Sequence, residues 1–253
     1  MHVLVGGGTG FIGRHLIKQL NKTGHKVTIV SRSPPASAAG RDYVTWDDVE
    51  RGTTPDDINA IVNLAGAQIL SIKARTQPEQ FKRDIHESRI GTARLCARLC
   101  EERAASGRPI EAFVQGTAVG YYHLNTKETA TEETPGGDEG EMAKLVRAWE
   151  EAAQLDDTCP TRTVLLRTGV VMGNDGGIIQ NTMPSFKMGL GGPISLKGDQ
   201  ILNWIHMDDQ IGIIEHVLQN EQLSGPVNAV APEIQTNRQW AEKFAKGFFR
   251  FIC

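Results

Sequence analysis

Val3-Leu4-Val5-Gly6-Gly7-Gly8-Thr9-Gly10-Phe11-Ile12-Gly13 runs from an apolar strand through a glycine turn into a helix. The helix that follows, Phe11–Asn21, places Ile12, Leu16, Ile17 and Leu20 on one stripe, the pattern of a helix packed on a sheet. Two glycine registers fit a dinucleotide fingerprint: Gly8-x-Gly10-x-x-Gly13 and Gly7-x-x-Gly10-x-x-Gly13. In either, bare backbone at Gly7, Gly8 and Gly10 permits the tight turn and lets main chain approach a diphosphate, while Gly13 lets helix lie close on strand. Thr9, Phe11 and Ile12 carry the amides between these glycines, where a helix N-terminus offers donors and partial positive charge to an anion. Gly8 and Gly13 also have the spacing of a phosphate-loop NTPase. Arg14-His15 follow, however, where such a loop needs Lys and a hydroxyl residue, so nothing would hold the magnesium ion.

Working outward, Lys26–Val30, Tyr43–Trp46, Ala60–Leu64, Ala112–Gln115 and Thr163–Arg167 read as further strands, apolar on both faces as parallel strands under helices must be. Helical patterns occupy Phe11–Asn21, a long stretch near Gln77–Ser106, and Glu139–Leu155. Alternation of this kind gives an α/β fold, a doubly wound parallel sheet of the Rossmann type with right-handed crossovers. The rhythm breaks after Arg167. Asn174 to Asp199 holds six glycines and two prolines and reads as a mobile loop. A short strand near Trp204, a helix from Asp208 to Asn220, a strand at Val227–Val230 and a helix at Thr236–Lys246 follow, the last with a Thr236–Gln239 capping box. The expected organisation is a dinucleotide-binding domain over 1–173 and a small substrate lobe over 174–253, with 200–222 returning to the first domain.

With 253 residues, 40% of them hydrophobic, the chain can bury a large core or two joined lobes. Its formal charge of −3 argues against a general nucleic-acid or membrane-surface binder. No apolar run approaches the roughly 18 residues of a membrane span, and the N-terminus enters a strand at once. Cys96 and Cys100 share a helix face and are expected in the core. These readings point to a reduced, intracellular protein, cytoplasmic rather than secreted. The histidine and cysteine spacings form no zinc pattern, and no metal is assigned.

The choice of dinucleotide follows from a missing carboxylate. NAD sites usually place Asp or Glu at the end of the second strand, where it accepts from the ribose hydroxyls. Here that strand ends Val30-Ser31-Arg32-Ser33, with no acidic residue between Gly13 and Asp42 but with Arg14, Lys18, Lys22, Lys26, Arg32 and Arg41. A guanidinium meets a 2′-phosphate with paired donors. NADP(H) is the expected cofactor, with Ser31, Arg32 and Ser33 around its extra phosphate.

Other segments join the fingerprint. Asn63-Leu64-Ala65-Gly66-Ala67 closes the fourth strand, Gln115-Gly116-Thr117 the fifth, and Arg167-Thr168-Gly169-Val170-Val171 the sixth; Gly120-Tyr121-Tyr122 and Trp204-Ile205-His206 accompany them. In this order the chain resembles the short-chain dehydrogenase/reductase superfamily, and within it the atypical, sugar-nucleotide-epimerase-like subfamily. The resemblance implies that Leu64, Ala65 and Gly66 run along the adenine and ribose. It puts Thr117 (or Ala118, one residue on) at the strand-end hydroxyl beside the nicotinamide, and Arg167 and its following segment where cofactor and substrate meet.

The chain departs from that pattern on the helix after the fifth strand. The superfamily acts through Tyr-x-x-x-Lys there, but aligning Glu150 with the usual helix acid puts Met142 and Val146 at those positions. Tyr121 or Tyr122 is then the candidate proton donor beside Thr117, with Lys144 and His206 more distant choices. Relatives of this kind also continue past the position of Cys253, so an incomplete substrate lobe is expected, and Phe248-Phe249-Arg250-Phe251-Ile252 would be sticky if exposed.

The implied function is an NADP(H)-dependent oxidoreductase acting on a small carbonyl, hydroxyl or nucleotide-linked sugar substrate. The rival is a non-catalytic NADP(H)-binding or redox-sensing protein. Besides the small-molecule substrate, the resemblance offers a homodimer paired through two long helices, and no nucleic-acid or membrane partner. Arg32→Ala should erase the preference for NADPH over NADH in a calorimetric titration. An unchanged preference removes Arg32 from the phosphate site.

Overall fold

The computed structural model describes residues 1–33, 43–68, 76–122, 129–138, 140–193 and 197–250. Arg41, Asp42, Glu139 and the tail from Phe251 to Cys253 lie outside them, as do the side chains of Phe248, Phe249 and Arg250. The strands are β1 (His2–Gly6), β2 (Lys26–Val30), β3 (Tyr43–Val44), β4 (Ala60–Asn63), β5 (Ala112–Ala118), β6 (Arg162–Thr168), β7 (Val170–Gly173), β8 (Trp204–His206) and β9 (Gly225–Ala229). Seven of them form one parallel sheet in the order β3-β2-β1-β4-β5-β6-β9, while β7 and β8 pair separately. The order reverses between β1 and β4, which opens a crevice at the carboxyl ends of those two strands. This is the doubly wound sheet that strand–helix alternation predicts.

The helices are α1 (Phe11–Lys22), α2 (Trp46–Glu50), α3 (Pro78–His86), α4 (Thr92–Ala105), α5 (Glu141–Glu151), α6 (Gly177–Lys187), α7 (Met207–Gln219) and α8 (Asn237–Arg250). A single π-turn, Glu87–Gly91, splices α3 to α4, so the long helix expected near 77–106 is nearly continuous. Strand side chains alternate between two apolar layers. Val3, Val5, Val62, Val114 and Leu166 join Leu16 and Leu20 of α1 and Ile211, Ile214 and Val217 of α7. Leu4, Ile61 and Phe113 join Cys96, Leu99 and Cys100 of α4 and Trp149 of α5. Burial pushes the Cys96 thiol up to about 12 and Cys100 above its usual range, so both behave as core residues, not as reactive thiols.

Two expectations need correction. The third strand does not reach Trp46: Thr45 caps α2, its hydroxyl accepting from the Asp48 amide at 3.1 Å while Asp48 accepts from the Thr45 amide at 2.8 Å. Nor is 174–199 one loop. It contains α6, whose Ile178 and Phe186 are buried with Met172, Leu202, Trp240 and Ala241 in a third, smaller core. The glycines that suggested mobility make room for an aromatic ring. A Cβ on Gly176 or Gly177 would lie 2.3 or 2.8 Å from the ring of Phe11. The Thr236–Gln239 box is formed as predicted, with bonds of 2.8 and 3.2 Å.

Beneath the sheet's amino edge, buried His2 holds Thr28 Oγ1 at 2.8 Å and Asp57 Oδ1 at 2.9 Å, and Lys26 pairs with the same carboxylate at 2.5 Å. Burial lowers the His2 ring below its ordinary 6.5, while the Lys26 and His2 bonds pull Asp57 to about 2. The unfolded chain therefore takes up the histidine proton first, and this part of the stability is present above about pH 6.5 and lost as pH falls. Thermal melts of wild type should decline between about pH 7 and 5, and His2→Gln should flatten that decline.

Candidate dinucleotide and reaction site

The glycine turn closes on itself through backbone. Gly10 donates to the Gly7 carbonyl at 2.9 Å, and Gly7 takes a left-handed φ of 73°. A Cβ on Gly13 would lie 2.3 Å from that same carbonyl, and one on Gly7 would meet the Leu64 carbonyl at 2.6 Å. A Gly8 Cβ would meet Ile17 and Ile29 at 2.8 Å each. Every wall of the cradle is thus main chain or core. Helix α1 begins with Gly10 as N-cap, without a capping side chain and without an acidic residue in its first turn. Its first amides have no partner within the helix, and exposed Thr9 and Gly10 leave them open. Phe11 and Ile12 are half-buried, the Phe11 ring lying against Gly173, Gly176 and Gly177.

Two other strand ends flank the cradle. After β2, Ser31 is buried, with its hydroxyl accepting from the Ser33 amide at 3.3 Å. Arg32 and Ser33 are exposed, and Arg32 makes no ion pair among the described residues. After β4, Leu64, Ala65 and Gly66 turn around Asn63, whose Oδ1 accepts from the Ala65 amide at 3.1 Å. Its amide group donates to Gln115 Oε1 at 2.9 Å and to Thr92 Oγ1 at 3.3 Å. The sequence reading did not single out Asn63 or Gln115. Their signal is a polar residue at the same register of two otherwise apolar strands.

A polar row crosses three strands farther along the sheet, because Thr117 sits opposite Arg167, and Arg167 opposite Asn228. Arg167, 3% exposed, grips Glu150 of α5 with Nε–Oε1 at 2.9 Å and Nη2–Oε2 at 2.8 Å. Thr117, expected as the strand-end hydroxyl, is buried there and donates to Glu150 Oε1 at 3.1 Å. Arg167 Nη1 donates to the Tyr122 hydroxyl at 2.8 Å, and that hydroxyl donates to Asn228 Oδ1 at 2.8 Å. The guanidinium carbon lies 3.4 Å above the Tyr121 ring. Burial alone would lower Arg167, but Glu150 and Tyr122 raise it above the usual arginine value, so the row keeps a fixed positive charge. Glu132 Oε1 closes the end of the row by accepting from the Asn228 amide at 2.9 Å. Glu132, Glu150 and Asn228 were not among the sequence candidates. They lie on a loop, a helix and the last strand, and only the sheet brings them together.

The more distant candidates fall away from this row. His206 caps α7, its Nδ1 accepting from the Asp208 amide at 3.2 Å, and Lys144 is exposed. Met142 and Val146 do face the strand end: a Cβ on Gly120 would meet them at 2.7 and 3.8 Å. A depression of about 590 Å³ lined by Lys26, Val44 and residues 53–57 shares none of these groups. Removing one partner of a buried ion pair strands the other, at about 3–5 kcal/mol. Glu150→Ala should therefore cost about that much in a urea melt, and a loss below about 1 kcal/mol would contradict the burial of this pair.

Comparison with known proteins sharpens the picture. A family model described as the NAD dependent epimerase/dehydratase family matches residues 3–230. The chain is 40% identical over 242 residues to the human epimerase family protein SDR39U1, covering 96% of this chain and 78% of that one. It is 32% identical over 251 residues to YfhF of Bacillus subtilis (strain 168), covering 97% and 79%. Among solved structures, human SDR39U1 isoform 2 with NADPH superposes with a TM-score of 0.87 at 40% identity, over 97% of this chain and 79% of that one. A nucleoside-diphosphate sugar epimerase from Corynebacterium glutamicum follows at 0.77 and 28%, over 98% and 50%. The chain belongs to the NAD dependent epimerase/dehydratase family.

Proposed function

We propose that the chain binds NADP(H) and acts as an oxidoreductase on a small carbonyl, hydroxyl or nucleotide-linked sugar substrate. The glycine cradle fits a diphosphate because each added Cβ would strike main chain or core, and because the amides at the start of α1 are uncapped. Arg32, which makes no ion pair among the described residues, stands beside Ser31 and Ser33 and suits a 2′-phosphate, and NADPH in the human relative's structure supports the same choice. When bound, the dinucleotide supplies a nicotinamide ring that gives or takes a hydride.

The observation that carries the catalytic reading is the Tyr122 hydroxyl held by Arg167. A carbonyl becoming an alkoxide needs a proton, and the Tyr122 hydroxyl is the donor that this geometry offers. Arg167, from strand β6, holds the tyrosine oxygen in place by donating to it. Glu150 and Thr117 hold that guanidinium still, and the Tyr121 ring covers it. Asn228 Oδ1 accepts the hydroxyl's hydrogen bond in the resting state, a bond that breaks when the hydroxyl turns toward substrate and carries its proton with it.

The second reading, a binding protein without turnover, draws on Met142 and Val146, which make the usual acid position apolar. Turnover separates the two. Calorimetry should find NADPH binding, and NADPH should be consumed with at least one member of a panel of aldehydes, ketones and oxidised nucleotide-sugars. Tyr122→Phe should lower kcat about a hundredfold or more while leaving NADPH affinity within about twofold. Binding without consumption across the panel favours the second reading, and no binding removes both.

A further inference from the structure

We infer that Arg89 is a positioning residue of the cofactor site, bracing the Leu64–Ala67 turn from behind and directing uncompensated positive charge toward the diphosphate in front of it. The inference rests on the NADP(H) reading and adds a residue to it.

Arg89 lies in the π-turn between α3 and α4, a local irregularity of the kind often found at functional positions. Its side chain is turned inward, 7% exposed. Nη2 donates to the Ala67 carbonyl at 3.0 Å, and the guanidinium carbon lies 5.2 Å above the ring of Trp149. Nη1 is buried with no partner, and Arg89 makes no ion pair among the described residues.

Two other buried arginines show how this protein settles a guanidinium, by pairing it with a carboxylate. Arg103 donates to the carbonyls of Thr54 and Pro55 and pairs with Asp56, while Arg167 is bidentate on Glu150. Arg89 alone of these three has no carboxylate. A buried cation without a counter-ion is costly, and burial indeed holds its pKa below the usual arginine value. A bound polyanion would relieve that penalty.

The contacts lead from Arg89 to where such an anion would sit. A Cβ on Gly66 would lie 3.2 Å from the Arg89 guanidinium carbon, so that face of the turn is bare to let the side chain lie flat against it. The same turn also touches the cradle: Leu64 and Ala65 lie against Gly7, where a Cβ would meet their main chain at 2.6 and 2.8 Å. Arg89, the β4 turn and the glycine cradle therefore form one packed stack, with low-dielectric protein rather than water between the charge and the cradle.

The test is calorimetric titration of the full chain with NADPH at low and high salt, for wild type and for Arg89→Lys, Arg89→Gln and Arg89→Met. Arg89→Met should weaken NADPH binding about tenfold or more, and Arg89→Lys should recover it to within about threefold. Arg89→Gln keeps a donor for the Ala67 carbonyl but no charge. It should bind as poorly as the methionine variant and show a shallower salt dependence than wild type. A glutamine variant with wild-type affinity overturns the inference, because hydrogen bonding alone would then suffice. A lysine variant as poor as methionine also overturns it, because shape and not charge would then be at work. Should Arg89→Met fail to fold by circular dichroism, the lysine–glutamine pair decides by the same criteria. Wild-type protein that binds no NADPH overturns the dinucleotide reading itself and this inference with it, whereas binding insensitive to all three substitutions overturns the inference alone.

Discussion

The approach of Gly13 to the Gly7 carbonyl governs this structure. A methyl group there would sit 2.3 Å from the oxygen, so the angle at which α1 leaves β1 exists only without a side chain at that position. That angle aims the uncapped amides of α1 at the crevice where strand order reverses. It also sets Phe11 against Gly173, Gly176 and Gly177, so the segment from β7 into α6 packs onto the same helical turn that faces the crevice. Arg14 and His15, one turn further on, both reach Asp175 and tie that segment to α1 a second time. The start of α1 thus serves the cradle and this contact together.

A second constraint is electrostatic. A carboxylate and a guanidinium are buried together at the carboxyl end of the sheet, where desolvation would expel either alone. Their bidentate geometry leaves one guanidinium nitrogen free to bond the Tyr122 hydroxyl, and the register of three parallel strands puts Asn228 on its far side. Where the superfamily usually mounts a tyrosine on the helix this chain has Met142, and the tyrosine hydroxyl at this end of the sheet is that of Tyr122, steadied from within the sheet.

Arginine runs through both constraints, and its surroundings differ at each place. Where a carboxylate is at hand the side chain staples elements together, as Arg103 does for the segment before β4. Beside Gly66, Arg89 has no carboxylate partner among the described residues. Arg32, after the end of β2, is exposed and makes no ion pair among the described residues.

Local signals sufficed for the β1–α1 unit, the strand–helix alternation and the capping box at Thr236, because each depends on residues within one turn or one pleat of each other. They failed where a distant partner changed a segment's meaning. The glycines of 174–199 read as slack until Phe11 filled the space they leave, and Trp46 read as strand because the Thr45–Asp48 cap was overlooked. Thr117 and Arg167 were found by resemblance, but the carboxylate that orients both comes from α5, and the asparagine beyond them from the last strand. Chain order determined that this protein would build a glycine-lined cradle at a strand-to-helix turn. Which side chains meet beside that cradle was decided only by sheet register and helix packing, since residues far apart in sequence become neighbours through long-range contacts that no local pattern encodes.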